Sequence, residues 1–231
     1  MKMIQEKKKD NTVIFYEYFI NKSEIIIVME LCDCNLNSFL NNMKRGLNSE
    51  EILEILTQLN NTFKILYENK IVHRNLNLSN ILLKYENDKK AKYKIKLSSY
   101  SYSEKLTNLE YLSDYIGVMI YMAPEIIERK KYNQQCDLWS LGVIIYFLYF
   151  KEFPYNDNTE VALINRIKKV GKKCIKKTNN KDLDDLIDKL LERHPRERIS
   201  WKDYFEHPFF KKITKIIQKI KRIMKKLLVQ E

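Results

Sequence analysis

The sequence predicts an α+β fold, mainly helical, with its β content gathered near the start of the chain. Three observations carry this. β-Branched and aromatic runs crowd residues 11–31, apolar residues recur at helical spacing from Ser49 onward, and the chain beyond Ala123 reads as mostly helical.

Val13-Ile14-Phe15-Tyr16 and Glu24-Ile25-Ile26-Ile27-Val28-Met29 are the two strand candidates, separated by the turn-like Asn21-Lys22-Ser23. From Ser49 the residues Ile52, Leu53, Leu56, Leu59, Phe63 and Leu66 form one apolar helical face. Ser49 is the expected N-cap, and Glu50 and Glu51 suit the positive end of the helix dipole. Short apolar stretches bracket polar loops between Ile71 and Leu83. Helices are then expected at 137–150, 159–169, 181–192 and 200–206, followed by a long terminal one. The four prolines (Pro124, Pro154, Pro195, Pro208) fall between these helices or at their ends, where a missing N–H does least harm. No internal repeat and no flexible linker is visible.

A length of 231 residues fits one large domain or two small lobes sharing a core, and 45% hydrophobic residues suffice to build it. The net charge is +12, and residues 211–231 carry eight Lys or Arg against one Glu, more than half of that excess. A basic chain invites a nucleic-acid reading, but no zinc-finger or RNA-binding signature supports one here. Cys32, Cys34, Cys136 and Cys174 lack paired metal spacing, which suits structural thiols in a reducing, cytoplasmic setting. Met1 runs directly into lysines with no secretory leader pattern. The longest apolar run, Leu141 to Phe150, is too short to span a bilayer and reads as a buried core helix.

Four motifs follow one another in a telling order. His73-Arg74-Asn75-Leu76-Asn77-Leu78-Ser79-Asn80 resembles the protein-kinase catalytic loop H-R-D-L-x-x-x-N, after a predicted long helix and before apolar Ile81-Leu82-Leu83. Tyr121-Met122-Ala123-Pro124-Glu125 resembles the end of the activation segment. Asp137-Leu138-Trp139-Ser140-Leu141-Gly142 resembles the start of the central helix of the kinase C-lobe. Arg193 to Ser200 resembles the late C-lobe motif whose last arginine, Arg198 here, pairs with the glutamate of A-P-E. The resemblance to eukaryotic serine/threonine protein kinases covers about residues 11–210. It implies a protein-kinase-like fold with a mostly α-helical C-lobe, a truncated β N-lobe and a C-terminal amphipathic helix.

By that resemblance the retained residues are architectural. Glu125 and Arg198 are expected to form a buried ion pair, and Asp137 to hold the catalytic loop by its backbone. His73 is expected as a core histidine and Arg74 as a structural arginine.

The chemical positions are substituted. Phosphoryl transfer needs metal-bridged phosphates, a lysine cradle and a carboxylate to accept the hydroxyl proton. Asn75 stands at the carboxylate position, and its amide can orient a hydroxyl but cannot take a proton; such general-base help contributes about 10²–10⁴-fold. Asn77 stands where the loop lysine belongs. Ser99-Tyr100-Ser101 aligns with D-F-G, so Ser99 replaces the metal-binding aspartate, and Mg²⁺ sites usually rely on at least one carboxylate. Asn80 is left as a vestigial metal ligand. With only four glycines (Gly46, Gly117, Gly142, Gly171), no phosphate-covering G-x-G-x-x-G loop can form, and Lys7, Lys8 and Lys9 read as a solvated face. Met1 aligns near the end of the N-lobe's regulatory helix, so three strands and most of that helix are expected to be missing.

In the shortened N-lobe, Met29 aligns with the gatekeeper, Glu30-Leu31-Cys32 with the adenine-contacting hinge, and Leu82 with the residue beneath an adenine ring; core packing is the competing explanation. In the activation segment Val118 replaces the usual threonine. Asp114 stands where an activating phosphosite often lies, either as an acidic mimic that pairs with Arg74 or as a plain surface-loop acid.

The organisation expected is a remnant N-lobe at 1–31, a kinase-like C-lobe at 32–210 and a basic amphipathic tail at 211–231. The tail places Ile213, Ile216, Ile217, Ile220, Ile223, Met224 and Leu227 on one helical face. That stripe suits docking on its own C-lobe, pairing with a partner helix, or lying on an anionic membrane. The leading functional expectation is a pseudokinase that binds or regulates a protein partner, such as an active kinase, with no cofactor and no nucleic acid. The second is a serine/threonine kinase using ATP and Mg²⁺ whose true start lies upstream of Met1; a third is a decaying paralogue.

Overall fold

The computed structural model describes residues 11–86, 92–107, 111–170 and 176–211. The expected end of a regulatory helix before Asn11 and nearly all of the basic tail lie outside the described residues.

Strands β1 (Phe15–Ile20) and β2 (Ile25–Met29) form an antiparallel hairpin, with Tyr18 opposite Ile27 and a register shift between Phe15 and Glu17. The expected strands 13–16 and 24–29 are thus corrected: the first starts later and runs to Ile20. The turn is closed by Asn21, whose N–H donates to Glu24 O (2.9 Å) while its side chain accepts from Lys22 N. Large apolar residues are exposed along both strands, among them Tyr16, Ile20, Ile25 and Ile27. A lone two-stranded hairpin is at best marginal in water, so this one depends on its anchoring to the rest of the fold. Glu30 N donates to Ile14 O at 2.7 Å across the hairpin base, and Val13 N donates to Leu97 O at 3.0 Å, which ties that base to the larger lobe.

Strand β3 (Cys34–Asn35) leads into helix α1 (Leu36–Asn41), capped by Asn35, whose side chain accepts from Ser38 N. Helix α2 (Ser49–Glu68) is the long helix read from the apolar spacing. Its N-cap is Asn48 rather than Ser49: Asn48 accepts from Glu51 N, and the Glu51 carboxylate accepts in return from Asn48 N, a closed capping box. Ser49 is instead the first helical residue, because only Asn48 has a glutamate three positions on.

Strand β4 (Ile71–Val72) pairs with β7 (Glu104–Lys105), and β5 (Ile81–Tyr85) sits between β3 and β6 (Tyr93–Leu97) in a three-stranded antiparallel sheet. Then come α3 (Pro124–Ile127), α4 (Gln135–Phe150), α5 (Glu160–Val170), α6 (Lys181–Leu190) and α7 (Trp201–Phe205). These replace the expected helices at 137–150, 159–169, 181–192 and 200–206. Helix α4 begins two residues early because Asn133 accepts from Gln135 N, and Ser200 caps α7 rather than joining it. Helix α6 stops at Leu190, where Leu191 serves as its C-cap.

Helix α4 is apolar on every side and forms the spine of the core, as a helix buried all round must. Gly142 permits its closest approach to α6: a Cβ there would lie 2.9 Å from Leu190 Cβ and from Leu191 Cδ2. Leu36, Leu56, Phe63, Leu83, Trp139, Leu186 and Tyr204 belong to the same buried cluster. Among the described residues, no helix is long and apolar enough to cross a membrane.

Candidate functional site

Strand β4 delivers the chain into residues 73–80, and Asp137 at the start of α4 holds the loop by its backbone. His73 N donates to Asp137 Oδ2 at 2.7 Å and Arg74 N to Oδ1 at 2.9 Å. Burial pushes the Asp137 carboxyl up to about 6 against those two donors. His73 is fully buried, with Nε2 3.0 Å from Ser98 O and its ring edge-on to Tyr100 at 5.2 Å. Burial drops His73 to about 4, so at neutral pH it carries no charge. Its surroundings are those of a core histidine.

The polar groups of the loop satisfy one another. Asn77, buried, donates its amide to the side-chain oxygen of Asn75 at 3.0 Å and to Asn75 O at 3.1 Å, and its own oxygen accepts from Ser79 N. Asn80 donates to Asn75 O at 2.8 Å. The structure brings Asn75, Asn77 and Asn80 together. In place of a carboxylate facing a lysine it gathers three amides, one of which already occupies the Asn75 oxygen.

Ser99 follows β6 with left-handed backbone angles (φ 62, ψ 59) and begins a 3-10 turn over Tyr100–Tyr102. Tyr100 reaches inward to a short hydrogen bond with the Thr12 hydroxyl. Ser98 sits between, its N–H and hydroxyl both donating to Asn80 O. The bordering carboxylates are engaged elsewhere: Asp137 on backbone, Glu104 and Asp114 on Arg74, Glu30 on lysines. Among the described residues no three His, Cys, Asp or Glu side chains cluster as a metal would require. A hard divalent cation prefers anionic oxygen ligands, and the Asn80 amide with the Ser99 hydroxyl supplies none.

The hinge positions lie where β2 leaves the hairpin. Met29 is 43% exposed and Leu31 is 87% exposed, so neither is packed as a core residue. Glu30 is turned inward: its carboxylate meets Lys96 Nζ at 2.8 Å and Lys84 Nζ at 2.8 Å and accepts from Ile14 N at 3.1 Å. Burial works to raise the Glu30 carboxyl, and the two lysines with the Ile14 N–H outweigh it and lower it. Cys32 is half-buried, and burial raises its thiol. Leu82 is half-buried on β5, opposite Lys96 and Asn35. Lys84 and Lys96 are the residues that sequence reasoning missed; the one available signal was a lysine, Lys96, set between apolar Ile95 and Leu97.

Downstream, Gly117 takes φ 122, a left-handed conformation that favours glycine, and the chain turns through Met119–Tyr121 into α3. Ser140 donates to Tyr121 O at 2.7 Å. Glu125 and Arg198 form a two-pronged buried ion pair, Oε1–Nη1 2.7 Å and Oε2–Nη2 2.9 Å. Arg198 spends its remaining donors on the carbonyls of Glu192, Gln135 and Arg193, and its guanidinium lies 5.3 Å from the Trp139 ring. Planar donors matched to a carboxylate and to carbonyls are the condition under which such a charge can be buried.

Residues 1–210 match the sequence model of the protein kinase domain. The chain is similar to the serine/threonine-protein kinase atg1 of Dictyostelium discoideum, 30% identical over 210 residues, which cover 90% of this chain and 31% of that protein. It is similar to the serine/threonine-protein kinase TIO of Arabidopsis thaliana, 30% identical over 219 residues (94% of this chain, 16% of that protein). It is also similar to the human serine/threonine-protein kinase ULK1, 27% identical over 215 residues (90% and 20%). The chain spans less than a third of the length of each of these relatives.

Proposed function

The chain belongs to the protein kinase domain family, and from that premise we propose that it works as a pseudokinase, a non-catalytic module that binds or regulates a protein partner such as an active kinase. One observation carries the reading: the proton-acceptor position holds Asn75, an amide whose oxygen already accepts from Asn77. An amide has no basic lone pair to take the proton of an attacking hydroxyl, and without that base the transfer loses a factor of about 10²–10⁴. Ser99 at the metal position compounds the loss, because a neutral hydroxyl anchors a divalent cation weakly. The retained contacts all serve shape: Glu125 with Arg198, Asp137 with the loop backbone, Ser140 with Tyr121. In this reading ATP and Mg²⁺ are not working cofactors.

A second reading has its own support. The curated relatives bear the names of serine/threonine kinases, and their naming favours phosphate transfer over its loss. Thermal melting with ATP, with and without Mg²⁺, separates the two. A ligand bound by the folded state alone stabilises it as the logarithm of its excess over Kd. The pseudokinase reading expects a melting temperature that Mg²⁺ does not raise beyond any effect of ATP by itself. A clear magnesium-dependent rise would favour the kinase reading.

A further inference from the structure

A cavity of about 570 Å³ opens between the turn after α3 and the loop joining α6 to α7, with walls that include Tyr111, Lys131, Tyr132, His194, Pro195 and Arg196. Of the carboxylates that line it, Glu125 is sealed in its pair with Arg198, leaving Glu197. Lys130, also on the wall, shares the Glu128 carboxylate with Lys168 (2.8 Å) and Arg193 (3.3 Å). On the wall itself three cations (Lys130, Lys131, Arg196) therefore face one carboxylate, Glu197, that no arginine seals. Lys131 and Arg196 are exposed and, among the described residues, have no carboxylate partner.

We infer that this cavity is a docking site for an acidic peptide segment of a protein partner. The proposal stands whether or not the chain transfers phosphate. Like charges gathered at one concave place raise the local positive potential, and an incoming carboxylate relieves it. The shape favours a peptide over a nucleic acid. A phosphate backbone is tracked by an extended row of cations with stacking platforms, whereas these charges ring one pocket. Its volume lies within the roughly 300–1,000 Å³ of small ligand sites, enough for a few side chains, and Pro195 and Tyr111 offer apolar surface beside the cations.

The test is fluorescence anisotropy on the full chain, with a fluorescein-labelled twelve-residue peptide of alternating Glu and Ser. A matched Lys/Ser peptide and a twelve-nucleotide single-stranded DNA are the comparison probes. The double variant K131E/R196E is set against K22E/K44E, which changes net charge equally at two exposed lysines on other parts of the surface. Circular dichroism and melting confirm that both variants fold. The proposal expects binding of the Glu/Ser peptide that weakens with salt, falls at least tenfold in K131E/R196E and changes less than twofold in K22E/K44E. Equal losses in both variants, no binding of the Glu/Ser peptide, or DNA binding tighter than peptide and lost in K131E/R196E would each overturn it.

Discussion

The Arg74 guanidinium lies 2.9 Å from the carboxylate of Asp114, joining two residues forty positions apart. Glu104 approaches the same guanidinium at 3.5 Å, and the carbonyl of Tyr102 accepts from its Nε. Arg74 is nearly buried at 6% side-chain exposure while Asp114 is 61% exposed, so one half of the pair is screened by water. The acid sits three residues before Gly117, and its contact with Arg74 links that segment to the loop. Replacing Asp114 with Ala should raise limited proteolysis of residues 112–123 about two- to fivefold, matching a loss of roughly 0.5–1 kcal/mol. Asp114→Glu should keep most of the protection. Unchanged cleavage in Asp114→Ala would reduce the residue to an ordinary surface acid.

The Glu125–Arg198 pair should behave as a buried unit. Arg198→Met or Glu125→Gln alone leaves one charge or its donors stranded and is expected to cost roughly 3–5 kcal/mol in urea unfolding. The double variant should cost clearly less than the two single losses added together, since the partners fail jointly. Strict additivity would mean that the two side chains do not interact.

Helix α2 offers a test at single-residue resolution. Asn48→Ala should destabilise the protein by about 1 kcal/mol, and Ser49→Ala should leave it nearly unchanged. A larger effect at Ser49 would contradict the capping box that Asn48 forms with Glu51.

Glu128 predicts how stability depends on acid. Partial burial works to raise its carboxyl, but Lys130 and Lys168 overcome this and hold it at about 2, below the usual 4.5. A carboxyl lowered in the folded state stabilises that state above about pH 4.5, and the benefit drains away as pH falls toward about 2. With Lys130 and Lys168 substantially exposed, the contribution should be about 1–2 kcal/mol. In Glu128→Gln the decline of stability between those pH values should flatten. An identical profile in the variant would remove Glu128 as its source.

The order of motifs made the kinase-like fold legible, because each motif binds chain segments that the family also joins. The partners of Asp137 and Arg198 were readable for that reason. Where two residues competed by local chemistry, the outcome hung on a third: Asn48 and Ser49 both cap well, and Glu51 decided between them. The Glu30–Lys96 pair was not readable at all, since no local pattern links a hinge acid to a lysine on β6. The lengthened β1 was hidden by Glu17, whose charge interrupts an apolar run but points to solvent in the hairpin.

The account rests on Asn75 and Ser99 standing where a proton acceptor and a metal anchor belong. The most direct measurement is transfer of labelled γ-phosphate from ATP, with Mg²⁺ or Mn²⁺, to the chain itself and to a general protein substrate. The account predicts incorporation no greater than in a reaction without the protein. Transfer by the wild-type chain that disappears in Asn75→Ala would contradict it.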